Sequence, residues 1–130
     1  MITNKTILDL QQHANDHNIS IYLPTHRTEP EAQQDVIRYK NQVKKAESKL
    51  NEKEIDREEK EIILNRLKEL SSDSEFWRNN DKGIAVFATK DHFETFKLPI
   101  SVNERVQVAP NFLITPLIRM ISKDGSFCVL

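Results

Sequence analysis

The sequence predicts an α+β domain: a mixed, largely antiparallel sheet of four to five strands packed against a long antiparallel helical hairpin, with two shorter helices. Three observations carry that expectation. Apolar residues recur at three- and four-residue spacing through most of residues 31–70, which marks a helical stripe. Three strand-like runs follow between residues 83 and 109 with no helical stretch between them, which favours antiparallel pairing. A lone apolar strand, residues 19–23, precedes the helices, so helices and sheet form separate layers.

The elements follow in order. Ile7, Leu10 and Ala14 lie at helical spacing behind Thr3 or Asn4 as cap. Strand one ends at Pro24. Thr28 and Glu31 then have capping-box spacing, with Pro30 in the first turn, where its missing N–H costs little. The next helix, residues 29–51, draws its stripe through Val36, Tyr39, Val43, Ala46 and Leu50, and Arg38, Gln42, Lys45 and Lys49 fall opposite. Asp56 with Glu59 starts a further helix, striped by Ile63, Leu67 and Leu70. An unbroken helix over this whole stretch would run to about 60 Å, too long for one domain of this size, so a turn is expected at residues 51–56.

Ser74 caps a short turn whose Phe76 and Trp77 plug the hairpin base. GIAVFAT (residues 83–89) reads as a buried strand, and FETFKL (93–98) and RVQVA (105–109) alternate as half-buried ones. Thr115 caps a last helix with Pro116 at its first position, Leu117, Ile118 and Ile121 packing inward, and Gly125 ending it. SFCVL, residues 126–130, reads either as a C-terminal strand of the same sheet or as the first strand of a following domain.

The 130 residues suit one domain with a single core. A formal net charge of −1 argues against gripping duplex DNA through bulk charge, yet leaves room for a local basic patch. One cysteine, Cys128, allows no internal disulfide and suits a reducing cytoplasm. No stretch approaches a membrane span. Two glycines cannot build a glycine-rich phosphate loop, and no Gly-x-Ser-x-Gly elbow is present. His13 and His17, four apart, share a helix face without acidic or cysteine partners, so no metal and no cofactor is expected there.

One set of residues has the makings of a binding site. Thr25, His26 and Arg27 follow the strand as exposed polar residues, and Gln34, Asp35, Arg38, Lys40 and Asn41 occupy the opening turns of the next helix. Arginine forks, a hydroxyl and a helix start at the end of a strand can receive a phosphate or carboxylate. Alternatives stay open: Asp35 bridging an arginine merely to tie the loop to the helix, or a small phosphoester- or anion-binding enzyme centred on His26, Asp35 and Arg38.

YLPTHR, QQDVIRYKN, EFWR, GIAVFA, FKLP and PLIRMISKDGSFCVL are similar to stretches of the bacterial archaeo-eukaryotic release-factor family, relatives of class I peptide-chain release factors. The resemblance implies a release-factor-like N-terminal domain over residues 1–125, with a second domain beginning at residues 126–130. It further implies a cytoplasmic module acting at the ribosome or on tRNA, beside downstream domains of the same protein. The tip NEKEID lacks the family's Asn-Ile-Lys core, and Val106 and Val108 stand where its strand motif has Tyr and Cys, with only Phe112 matching. Two valines offer no donor or acceptor to a base, so no stop-codon reading is expected and Phe112 is assigned to the core. The Gly-Gly-Gln hydrolytic triplet is absent, so this chain is not expected to be an enzyme.

Overall fold

A computed structural model of the chain describes residues 2–26, 31–78 and 80–123. Its strands are β1 (Asn18–Pro24), β2 (Gly83–Ala88), β3 (Phe93–Leu98) and β4 (Arg105–Ala109), ordered β3-β2-β1-β4 in one sheet. Every neighbouring pair is antiparallel, so the α+β class holds while the parallel component of a mixed sheet is absent among the described residues. The reason lies in the connections. Two helices, α2 (Glu31–Asn51) and α3 (Arg57–Ser71), leave the end of β1 and return to it, so Gly83 begins β2 beside Pro24. The expected strand at 126–130 and the helix stop at Gly125 lie outside the described residues, as do Thr28 and Pro30.

Alternation along β1 splits two cores. Ile19, Ile21 and Leu23 face the α2–α3 hairpin, joined there by Ile84, Val86 and Ala88 of β2. Tyr22, Ala85 and Phe87 face the other way, beneath Ile7 and Leu10 of α1 (Asn4–Gln12) and Leu117 of α5 (Thr115–Lys123). Helices on both faces account for the unbroken burial of β2, whose sequence is apolar at every position. Phe112 is buried with its ring centroid 5.4 Å from that of Phe87, as assigned. Ser20 Oγ accepts the N–H of Leu113 at 2.9 Å and the Tyr22 hydroxyl donates to the Leu113 carbonyl, pinning the chain ahead of α5 to the central strand.

Across the hairpin, Tyr39 donates its hydroxyl to the Leu67 carbonyl at 2.8 Å. Trp77, in the short helix α4 (Ser74–Arg78), donates its indole N–H to the Leu70 carbonyl at 2.8 Å and lies against Tyr39, which makes it the expected plug. Several local expectations shift. Gln42 is 2% exposed rather than on the outer face, because α2 buries a stripe wide enough to meet both α3 and the sheet. Asp56 precedes α3 without a side-chain cap bond; Lys60 instead donates to Asn51 Oδ1 across the tip. Asp73, not Ser74, caps α4 by accepting the Phe76 N–H at 3.0 Å. The Ile114 carbonyl accepts the first helical bond of α5, so Thr115 stands one place inside the helix. Thr3 does cap α1, reciprocally with Thr6. No described helix is long and apolar enough to cross a membrane.

Candidate anion-binding site at the start of α2

The site forms where β1 gives out. Thr25 is not exposed, as the sequence suggested, but 5% exposed: its N–H donates to the Lys82 carbonyl and its hydroxyl to the Asp81 carbonyl at 2.8 Å. A threonine that spends its hydroxyl in this way prolongs the β1–β2 ladder by one residue and aims the next residue at α2. That next residue, His26, meets Asp35. The backbone N–H of His26 donates to Asp35 Oδ2 at 2.7 Å, and its Nδ1 lies 2.9 Å from Asp35 Oδ1. Arg38, one turn further along α2, donates from Nη1 to the same Oδ1 at 3.2 Å.

Asp35 is 1% exposed, whereas the side chains of His26 and Arg38 are 42% and 43% exposed. A buried carboxylate thus holds two half-exposed basic groups. An ionised carboxylate is acceptor-only, so the proton of the pair sits on His26 Nδ1. Nε2 and the other N–H groups of the guanidinium are not engaged by Asp35, on side chains that are half-exposed. Gln34 and Asn41 are exposed and share the helix face of Arg38 by their spacing. Lys40 is exposed on the opposite flank, in a cleft toward α3. Five of the eight candidates, His26, Asp35, Arg38, Gln34 and Asn41, therefore gather on one side. Thr25 underlies them, Lys40 points elsewhere, and Arg27 lies outside the described residues.

The remaining histidines part company. α1 ends at Gln12, so His13 and His17 do not share a helix face: His13 stacks on His92 with centroids 3.8 Å apart, and His17 approaches Glu59. Among the described residues no group of three or more His, Cys, Asp or Glu side chains is arranged to hold a metal. Two features escaped the sequence. Asn80 is 5% exposed, with neither amide atom hydrogen-bonded among the described residues. Arg78 and Lys68 join Lys40 along the hairpin seam. Only the pairing of α2 with α3 brings such residues together, and spacing along one helix does not encode it.

Comparison with family models gives no match, and no curated protein matches the sequence. A solved structure described as an archaeal protein is similar in fold, with a TM-score of 0.62 at 12% identity over 93% of this chain. The chain spans 35% of that protein's length. At this identity the likeness speaks to fold alone.

Proposed function

We propose that this chain is the N-terminal module of a release-factor-like protein that binds the ribosome or tRNA in the cytoplasm. In this reading it lacks stop-codon reading and the hydrolytic loop. Besides the sequence resemblance, one observation supports it: buried Asp35 holds the half-exposed Arg38 guanidinium beside the His26 ring, so that its remaining N–H groups can donate to a phosphate oxygen. Both basic groups are aligned before any ligand arrives, which lowers the ordering cost of binding. Co-sedimentation with ribosomes across a salt series tests this. The wild-type chain pellets with ribosomes at low salt, and the double variant His26→Ala/Arg38→Ala loses about tenfold in affinity. Undiminished binding by that variant removes the site from the account.

The His26–Asp35 pair also has the geometry of a general base with its orienting carboxylate, which favours a second reading as a phosphoester-binding enzyme. A rise in melting temperature with inorganic phosphate or a divalent cation, abolished by His26→Ala, would select it. If neither ribosomes nor small anions bind, Asp35 is a structural tie and the domain serves to position its neighbours.

A further inference from the structure

The hairpin seam on the opposite flank of α2 carries a second, larger concentration of donors. Two clefts of about 310 and 220 Å³ adjoin there, sharing Ser71 in their walls. Gln33, Ser72, Ser74 and Arg78 surround the first, and all four are exposed. Lys40, Lys44 and Lys68 surround the second, with Glu47 the one acid in either wall. Among the described residues none of the four cations makes an ion pair. Four cations that make no ion pair among the described residues, against one carboxylate in the two walls, stand out in a chain whose formal net charge is −1.

We infer that this seam is the track for a single-stranded RNA backbone, with Arg78 and the hydroxyls at one phosphate and Lys40, Lys44 and Lys68 at the next. This rests on the reading of the chain as an RNA- or ribosome-binding module and adds where the strand lies. The donor set is the one that recurs at phosphates: arginine, lysine, serine hydroxyl and side-chain amide. Lys40 and Lys44 stand one helical turn apart, about 6 Å along the axis, in one wall with Lys68, so the three can converge on a single phosphate. The clefts present many donors and few acceptors, so they suit a polyanion better than a neutral peptide. Trp77, at the floor of the first cleft, is 5% exposed and its indole N–H is spent on Leu70, so it offers no open face for a base. Binding is therefore to backbone and indifferent to sequence.

The test is fluorescence anisotropy with a labelled mixed-sequence RNA oligonucleotide over a salt series, alongside ribosome co-sedimentation. The probe variant is Lys40→Ala/Lys44→Ala/Lys68→Ala/Arg78→Ala. Its control is Lys45→Ala/Lys49→Ala, which removes two cations from outside the seam. All six side chains are exposed, so unchanged melting temperatures certify the fold. The quadruple variant loses at least tenfold in RNA affinity, and the slope of log K against log salt falls by about 0.7 per cation removed. The control keeps wild-type affinity within twofold. RNA binding that survives the quadruple change overturns the seam while leaving the proposed function standing. A wild-type chain that binds neither RNA nor ribosomes overturns both. Equal, variant-sensitive binding of polyglutamate assigns the seam to an acidic protein instead and overturns the RNA track.

Discussion

The backbone N–H of His26 and its ring Nδ1 both reach one side chain, the carboxylate of Asp35, at 2.7 and 2.9 Å. That double contact closes the strand-to-helix junction, with Arg38 as third donor. Asp35→Ala leaves a backbone donor and two basic groups without their acceptor. It lowers unfolding free energy by about 2–3 kcal/mol. His26→Ala keeps the backbone bond and costs under about 1 kcal/mol. Urea unfolding at pH 7.5 measures both, and equal losses in the two variants would contradict this division.

Burial raises the phenols of Tyr22 and Tyr39 well above the ordinary tyrosine range. Above about pH 10 the unfolded chain releases protons that the folded chain keeps, so the native state is the more protonated one. Stability is therefore intact below pH 10 and falls as pH rises beyond it, by about 1.4 kcal/mol per pH unit for each tyrosine. Tyr39→Phe costs about 1 kcal/mol at pH 8 through its lost bond to Leu67, then loses less than wild type between pH 10 and 11. Unfolding midpoints in urea over this pH range would show the crossing slopes.

Gly83 starts β2 against the returning chain. A Cβ there would stand 2.9 Å from the Ile100 carbonyl oxygen and 3.1 Å from Val102 Cγ2. The closer neighbour is backbone and cannot rotate aside. Gly83→Ala therefore destabilises by about 1–3 kcal/mol, read as a lowered midpoint in thermal unfolding.

Asn80 buries an amide with no partner among the described residues. A desolvated amide of this kind costs stability, so Asn80→Leu, similar in volume and apolar, leaves the melting temperature unchanged or raises it. A fall of several degrees would mean that the amide is bonded.

Element type and order were written in local patterns. The 3-4 stripe from Val36 to Leu70 marks two helices because each must bury one face, and GIAVFA marks a strand covered on both sides. The cluster of Thr25, His26, Asp35 and Arg38 was equally legible as polar residues around one strand end. Its wiring was not. Whether Thr25 faces solvent or the Asp81 carbonyl depends on a chain segment 56 residues away.

What the sequence alone determined is thus periodicity, and with it the α+β class and the helical hairpin. Tertiary structure decided the burial of Asp35 and Gln42, the capping roles of Asp73 and Ile114, and the meeting of Lys40 with Lys68 and Ser71. The physical reason is range. A helix or strand pattern is set by residues within one or two turns, whereas burial and charge pairing depend on which faces of distant elements are pressed together.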